Sequence, residues 1–511
     1  MPDNDFIAEQ FSLMAKLMDI HGENSFKIKS YSNAAYTIDK LSAQLSSLPH
    51  KEIFAIKGIG DAIGKKIIDI LETGELRQLS ELISNTPPGI LEMLTIKGIG
   101  AKKIATIWKE MEIESIGELL YACNENRLTL YKGFGEKTQN NVRDSIEFYL
   151  KSRGSYLYSE AEALLLAIDK QLKNDFSNEM FEPTGAFREQ METIDRLEWV
   201  TTGQEAQLVS FFNKHEGVLL PESSSSKLIF KTPEGLPLVF HLVNKENFFR
   251  ILSETTCPAF HPGVIQVTDI KGIIHTHSDW SDGSHSIEEM ARECIKQGFE
   301  YLVVSDHSKS AQYAKGLYEE RVMAQHQQIA ALNAALAPFR IFKSIESDIL
   351  NDGALDYSDE VLASFDLVIA SVHSNLKMSE EKAMVRLLKA IENPFTTILG
   401  HMTGRLLLSR SGYPVDHKKI IDACVANKVV IELNAHPRRL DIDWRYIPYA
   451  MEKGALLSIN PDAHSTKGYL DIKYGVLAAQ KGGLTKDNNL SSFSLKELED
   501  YLAQRRNVRN N

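Results

Sequence analysis

The sequence predicts a multidomain protein with an all-α N-terminal region, an α+β middle region and a C-terminal β/α region. Its 511 residues exceed what one ordinary core needs, and about 150 residues per domain gives about three or four domains. Apolar residues at helical spacing and a glycine pattern that occurs three times fill residues 1–152. From Lys271 onward, short apolar runs alternate with helical patterns, which is typical of a parallel sheet or barrel.

The middle region is the least regular part of the chain. Period-2 alternation is weak there, but residues 228–230 and 238–243 have the composition of strands. A segment with two prolines follows and has the character of a linker. The predicted boundaries are 1–80 for a helical region with the first glycine repeat, 81–152 for the second and third repeats, 153–256 for the α+β region, 257–270 for the linker, 271–503 for the β/α region and 504–511 for a tail.

The composition is that of a soluble globular protein, with 43% hydrophobic and 25% charged residues. No apolar run approaches the ~20 residues that a membrane helix needs, and the acidic start lacks the features of a secretory signal. The four cysteines lie far apart in the sequence, with no paired spacing. This pattern is typical of free thiols in a protein of the reducing cytoplasm. We therefore expect a cytoplasmic protein without a membrane partner, and we favour a monomer. The net charge of −12 argues against coating of nucleic acid by bulk electrostatics but does not exclude local contacts.

Potential metal ligands follow the predicted strands of the C-terminal region, at the point where each strand ends. His275 and His277 follow one apolar run, and their spacing on a strand lets both imidazoles reach one metal ion. Asp462 and His464 follow another run at the same spacing. The remaining residues of this kind are Asp282, His307, Glu346, His373 and His401. Functional residues of β/α folds gather at the C-terminal ends of the strands.

The number and type of these residues indicate a metal cluster. Any single member is compatible with a packed or surface histidine, a helix cap or a solvated charge, but nine at successive strand ends are difficult to obtain by chance. Mixed histidine and carboxylate ligands suit Zn, Mn or Fe better than Ca or Mg. Six histidines and three carboxylates exceed what one or even two ions need, so we predict two or three divalent ions. Such a cluster fits hydrolysis of a phosphoester, because one ion activates water while the ions hold phosphate oxygens.

The C-terminal region resembles the PHP (polymerase and histidinol phosphatase) domain over about residues 271–503. The motifs that carry the resemblance are His275-Thr-His277, Ser281-Asp-Gly283, Ser305-Asp-His307, Glu346, Ser371-Val-His373, Gly400-His401 and Asp462-Ala-His464. The resemblance implies a distorted β/α barrel with a trinuclear metal site. It implies that the nine residues named above are the metal ligands, and hence the catalytic set. Arg405 is a candidate phosphate contact, with a surface arginine as the alternative.

The glycine pattern of the N-terminal region has the form Lys-Gly-hydrophobic-Gly, followed each time by a helix. Gly-hydrophobic-Gly between two short helices is the hairpin of a helix-hairpin-helix motif, because glycines allow a tight turn that points backbone N–H groups at a phosphate. One copy is compatible with a purely structural turn, whereas three copies indicate sequence-independent contacts to the DNA backbone. The predicted DNA-binding residues are Gly58, Gly60, Lys65, Gly98, Gly100, Lys102, Gly133, Gly135 and Lys137.

The whole chain is similar to the bacterial family X DNA polymerases. Residues 25–35 resemble the N-terminal domain of that family, and the order of regions also fits it. The resemblance implies a helix-hairpin-helix N-terminal region, a nucleotidyltransferase-like palm and a PHP barrel.

The palm departs from the family pattern. Gly185-Ala-Phe-Arg188 resembles the family's Gly-Ser-x-Arg turn, but the Asp-x-Asp pair that should follow is replaced by Arg196 and Glu198. A gap recovers Asp195 as one aspartate but not the pair, and Val239 stands where the third aspartate belongs. Arginine and valine do not coordinate a divalent cation. We therefore interpret the palm as degenerate and polymerisation as lost.

These features predict a DNA-binding, metal-dependent phosphoesterase. The residues alone indicate phosphoester hydrolysis, and the resemblance implies a 3′→5′ exonuclease or a 3′-end-processing activity in DNA repair. One alternative is a small-molecule phosphatase resembling histidinol phosphatase, which the DNA-binding repeats disfavour. Another is an active gap-filling polymerase, which Arg196 and Val239 disfavour. A third is a non-catalytic DNA-binding protein with a structural metal site, which would not need so many ligands.

The degenerate palm leads to the first testable expectation. The purified chain should add no nucleotide to primed or gapped DNA in Mg²⁺ or Mn²⁺, because the palm lacks the carboxylates that hold the two ions. Primer extension checks this, with an active gap-filling polymerase on the same substrate as control. Template-directed extension would overturn our interpretation of the palm.

Overall fold

A computed structural model describes residues 2–39, 41, 43–96, 98–151, 154–215, 217–232, 235–254 and 257–509. The chain forms two compact units, Met1–Cys123 with Tyr131–Ile146, and Asn124–Leu130 with Glu147–Asn511. The predicted domain boundaries stay predictions. Several residues at these boundaries lie outside the described residues, namely 152, 153, 255, 256, 510 and 511. Lys97 of the second glycine repeat also lies outside them.

The first unit is helical in its described part. Its first helix begins after Asp3, whose side chain accepts a hydrogen bond from the N–H of Phe6, and it ends at Gly22 in the left-handed conformation. The helices, the last two of which continue into the second unit, are α1 Asn4–His21, α2 Ser25–Asp39, α3 His50–Ala55, α4 Asp61–Thr73, α5 Arg77–Ser84, α6 Pro88–Met93, α7 Ala101–Lys109, α8 Ile116–Asn124 and α9 Glu136–Lys151.

The middle of the chain folds as an α+β region of the second unit, as predicted. Its strands are β1 Tyr156–Leu157, β2 Phe181–Thr184, β3 Thr193–Ile194, β4 Leu197–Thr201, β5 Val218–Leu219, β6 Lys227–Lys231 and β7 Pro237–Leu242. Its helices are α10 Tyr158–Asp175, α11 Gly185–Arg188, α12 Glu205–Lys214 and α13 Lys245–Glu254. Five strands form a mixed sheet in the order β2-β4-β7-β6-β5, in which only β4 and β7 run parallel. Buried aromatic residues fill its core, and the rings of Trp199 and Phe240 stack 5.1 Å apart.

The C-terminal region forms a parallel seven-stranded sheet whose strands follow one another in chain order. The strands are β8 Gly272–Thr276, β9 Tyr301–Val304, β10 Arg340–Asp348, β11 Leu367–Ser371, β12 Ile398–Leu399, β13 Val430–Asn434 and β14 Leu457–Asn460. The helices are α14 Ile287–Gln297, α15 Glu319–Ala335, α16 Asp359–Leu362, α17 Glu380–Glu392, α18 His417–Ala426, α19 Ile447–Glu452, α20 Ile472–Lys481 and α21 Leu495–Arg509.

The first and last strands of this sheet meet at a seam. Thr276 forms a parallel bridge to Ala463, and the N–H of His277 donates a hydrogen bond to the Ala463 carbonyl at 2.9 Å. The sheet is therefore a nearly closed barrel, which confirms the predicted multidomain fold class. Because both faces of each strand are covered, every residue of β8, β9, β11, β13 and β14 is buried. All C-terminal strand ends lie at one mouth of the barrel.

No helix among the described residues is long and apolar enough to span a membrane.

Asp471, directly before α20, leads to a prediction about stability. Burial raises the pKa of its carboxyl group from 3.8 to about 7. Because the fold favours the protonated form, this group's contribution to stability is full below about pH 4 and is lost as the pH rises to about 7. Asp471→Asn should therefore stabilise the protein relative to wild type by an amount that grows from pH 4 to 7 and then stays constant. Urea denaturation at pH 4.5, 6 and 8 measures this, with the exposed Asp487→Asn as matched control, and a pH-independent difference would contradict it.

Candidate metal centre

The predicted ligands at the seam are set by unusual backbone geometry. His275 has a φ of 66° and Asp462 a φ of 53°, both in the left-handed region that side chains other than glycine rarely adopt. A register irregularity between Ile273 and Thr276 accompanies the first of these. Such backbone strain persists only where the surroundings enforce it, and it concentrates at functional sites. It directs His275, His277 and Asp462 into one cluster.

The structure brings the predicted ligands together in three overlapping groups. Within each group, the potential ligand atoms all lie within 4.8 Å of one another. The groups are His277 with Asp282, His307 and His464; His275 with His277 and Asp462; and His307 with Glu346 and His373. Two histidines are shared between groups, as expected for ions that sit side by side.

Glu346 joins the remaining predicted ligand, His401, to this cluster. Its Oε1 lies 3.0 Å from Nε2 of His401, 3.1 Å from Nε2 of His373 and 3.2 Å from Nε2 of His275. Its Oε2 lies 3.0 Å from Nδ1 of His307. One carboxylate at the end of β10 thus touches imidazoles from four other strand ends.

The donor atoms of this cluster fit metal ions. Several are buried and, although imidazoles and carboxylates lie close to them, form no hydrogen bond of proper geometry within the described residues, namely Nε2 of His275, Nδ1 of His277, Nε2 of His464, Nδ1 of His401, Oδ2 of Asp282 and Oε2 of Glu346. Each buried polar atom without a hydrogen bond lowers the stability of the fold by about 1–3 kcal/mol. A group of such atoms at one place therefore requires an explanation. Imidazole nitrogens and carboxylate oxygens are the ligands that Zn, Mn and Fe accept.

Two carboxylates that our sequence analysis did not identify hold the histidine rings. Oε2 of Glu432 lies 2.6 Å from Nδ1 of His275, and Oδ1 of Asp348 lies 2.5 Å from Nδ1 of His373. Each contact leaves Nε2 directed at the cluster and fixes the orientation of the ring. The signal was present in the sequence, because each carboxylate interrupts an apolar strand and Asp348 follows Glu346 at the same-face spacing of two.

Asp306 fixes the turn that carries Asp282. Its carboxylate accepts hydrogen bonds from the N–H of Ser278 at 2.8 Å, from Oγ of Ser281 at 2.5 Å and from Nε2 of Gln325 at 2.6 Å. Gly283 ends this turn, where a Cβ would lie 2.1 Å from the carbonyl oxygen of His277. Only glycine allows the turn to pack this closely.

The histidines and carboxylates of the cluster shift each other's pKa. Burial lowers the pKa of His373, but the charges of Glu346 and Asp348 outweigh burial and raise it to about 9. Burial likewise opposes the charge of Asp282, which helps raise the pKa of His464 to about 9. The neighbouring carboxylates thus favour the protonated form of both rings.

Arg405, the candidate phosphate contact, has protein partners. Its guanidinium donates to Asp443 at 2.7 Å, to Glu192 at 3.1 Å and to the Arg439 carbonyl at 2.9 Å, and it also donates to the Leu440 carbonyl. The structure therefore places it in a largely buried ion-pair network.

Arg439, which we did not single out, lies beside the cluster instead. Its Nε is 3.6 Å from Oδ2 of Asp462, and its side chain is almost completely buried. No local sequence signal distinguishes it from the other arginines of its loop.

The palm offers no comparable ligand set. Glu198 on β4 lies opposite Val239 on β7, and its Oε2 is 2.9 Å from Nε2 of His241. Arg196 pairs with Asp195 at the surface. Within the described residues, the groups of three or more histidine, cysteine or acidic side chains that could hold an ion all lie at the barrel mouth.

The glycine hairpins of the first unit have the geometry that our sequence analysis predicts. The first glycine of each repeat, Gly58, Gly98 or Gly133, has a φ between 93° and 97°, a conformation that favours glycine. The hydrophobic residue between the glycines is buried in each case and anchors the turn. All nine predicted DNA-binding residues are exposed to solvent.

Three family models match the chain. They are a helix-hairpin-helix domain over residues 2–76, a SAM-like helix-hairpin-helix tandem over 90–147 and a PHP domain over 274–436. The DNA polymerase/3′-5′ exonuclease PolX of Bacillus subtilis is 31% identical, over 96% of this chain and 97% of that protein. The chain belongs to the PolX family. The predicted family is thereby confirmed, and the barrel is a PHP domain, a metal-dependent phosphoesterase.

Two further proteins are similar to a part of this PolX family member. A probable phosphatase of Thermoanaerobacter sp. is 25% identical over 45% of this chain and 94% of its own length. The crystal structure of histidinol phosphate phosphatase from Lactococcus lactis, complexed with zinc, L-histidinol and phosphate, covers 42% of this chain and 94% of its own at 16% identity and a TM-score of 0.33.

The contact between Glu432 and His275 yields a prediction about metal binding. Glu432→Gln removes the charge that orients His275, so we expect metal affinity to fall about 10- to 100-fold. Competition of Mn²⁺ or Zn²⁺ between the protein and a fluorescent chelator measures this change. Glu288→Gln, at an exposed position on α14, serves as control, and equal affinities for the two variants would refute the role of Glu432.

Proposed function

We propose that this protein is a DNA-directed nuclease that removes nucleotides from the 3′ end of DNA or cleans damaged 3′ ends during repair. The observation that carries the proposal is the cluster of three ligand groups at the barrel mouth of a chain that also has three exposed glycine hairpins. The name of the Bacillus subtilis relative, which includes a 3′-5′ exonuclease, supports this choice of reaction.

In this proposal, nine residues hold two or three ions of Mn, Zn or Fe. They are His275, His277, Asp282, His307, Glu346, His373, His401, Asp462 and His464. Bound ions would lower the pKa of a coordinated water and neutralise the charge of the scissile phosphate. Glu432 and Asp348 keep the histidine rings in place, and Arg439 adds positive charge beside Asp462.

DNA is the proposed partner, and the hairpins are its proposed contacts. Gly58, Gly98 and Gly133 open turns after which the backbone N–H groups of the next helix can meet a phosphate. Exposed lysines follow, among them Lys65, Lys102 and Lys137. We propose that the protein works in the cytoplasm, since all four cysteines are free thiols and three of them are buried.

The experiment is an Mn²⁺-dependent digestion of DNA labelled at either end. Wild type should convert 5′-labelled DNA into a ladder of shorter strands and release the label of 3′-labelled DNA as mononucleotide. His275→Ala combined with His277→Ala should abolish both, because two ligand groups lose members. His50→Ala combined with His261→Ala, at exposed positions, is the matched control and should digest DNA like wild type.

A small phosphate ester is the second candidate substrate. The probable phosphatase of Thermoanaerobacter sp. resembles the barrel over nearly its whole length, which favours this possibility. If wild type with confirmed bound metal leaves DNA intact but hydrolyses p-nitrophenyl phosphate, the nuclease proposal fails and the phosphatase takes its place.

A further inference from the structure

The second unit includes a short segment, Asn124–Leu130, that lies against the barrel mouth. The guanidinium carbon of Arg127 is 4.2 Å from the centre of the Tyr313 ring. The Tyr313 ring in turn lies 6.0 Å from the ring of His307. Glu125, from the same segment, places Oε1 3.9 Å from Nε2 of His464. Two members of one ligand group are thus bordered by side chains outside the proposed ligand set.

We infer that Arg127, supported by the Tyr313 ring, binds the phosphate next to the scissile one and so selects polynucleotides over small phosphate esters. The inference rests on the proposed nuclease function and specifies how the same site would recognise its substrate class.

Charge and exposure favour this role for Arg127. The proposed ions would neutralise only the scissile phosphate, so a cation beside the cluster suits the next phosphate of a polyanionic substrate. The Arg127 side chain is 22% exposed, whereas that of His307 is 6% exposed, so the guanidinium lies on the solvent side of the cluster. A planar guanidinium stacked on an aromatic ring keeps its N–H donors at its edges, where they fit phosphate oxygens.

The neighbours of Arg127 position it. Glu125 lies 3.7 Å from a terminal guanidinium nitrogen of Arg127, which limits the rotation of the side chain. The Tyr313 ring lies under the guanidinium and provides a flat surface that keeps it in place.

The distance from the ligand groups decides which phosphate Arg127 can reach. One aromatic ring separates its guanidinium from His307. A phosphate held by the ligand groups is therefore not the phosphate that Arg127 contacts. A polynucleotide has a neighbouring phosphate, whereas a mononucleotide ester has none, so Arg127 contributes only to the former.

The test compares two substrates in Mn²⁺, a single-stranded oligonucleotide and the p-nitrophenyl ester of thymidine 5′-phosphate. Arg127→Ala should lower kcat/KM for the oligonucleotide about 10- to 100-fold, mainly through KM, because a charge-assisted contact is lost from ground state and transition state alike. Hydrolysis of the small ester and the metal content should stay unchanged. Arg127→Lys should recover part of the loss, and Arg292→Ala, on the exposed face of α14, should resemble wild type.

An uncharged methylphosphonate at the penultimate linkage of the oligonucleotide gives the sharper measurement. If Arg127 contacts that phosphate, the kcat/KM of wild type falls on this substrate by the same factor by which Arg127→Ala lowers it on unmodified DNA. The methylphosphonate then causes no further fall in kcat/KM for Arg127→Ala. Additive losses, or equal losses on DNA and on the small ester, overturn the inference while the nuclease function stands. Wild type that digests no DNA overturns both.

Discussion

The burial of the Glu346 carboxylate among four imidazoles is the constraint on which the second unit depends. An unpaired buried charge costs several kcal/mol, so the ends of β8, β9, β11 and β12 must all deliver a histidine to this one side chain. The parallel register of the barrel achieves this, because it brings every C-terminal strand end to the same mouth. The parallel order of the strands therefore determines both the shape of the barrel and the set of side chains at its mouth.

The middle sheet belongs to the same unit as the barrel, but its described residues carry no comparable cluster of ligands. It carries Val239 and a Glu198–His241 pair where catalytic carboxylates are expected. Acidic residues of the middle region that lie outside the sheet form ion pairs with the barrel region, namely Glu192 with Arg405, Glu160 with Arg438 at 3.2 Å and Glu162 with Lys473. These ion pairs join the middle region to the barrel.

Features with a local physical cause could be predicted from the sequence. Gly58, Gly98 and Gly133 adopt the left-handed conformation that their repeat requires. The clustering of the predicted ligands could also be predicted, because parallel strands bring their ends together, and eight of the nine lie in the three groups at the barrel mouth. Contacts between residues that are distant in the sequence could not be predicted in this way. Glu432 and His275 are 157 residues apart, so the apolar strand around Glu432 marks it as a buried carboxylate but does not identify His275 as its partner. Arg405 is close in sequence to the predicted ligand His401, but its partners lie in other parts of the chain.

The seam between β8 and β14 determines when this centre can come into existence. Two of the three groups combine His275 or His277, at the end of the first strand, with Asp462 or His464, beyond the last one. A ribosome must therefore release almost the entire chain before either group is complete. The group of His307, Glu346 and His373 draws on three consecutive strands and can assemble earlier. The last side chains of this cluster are therefore available only when synthesis of the chain is almost complete.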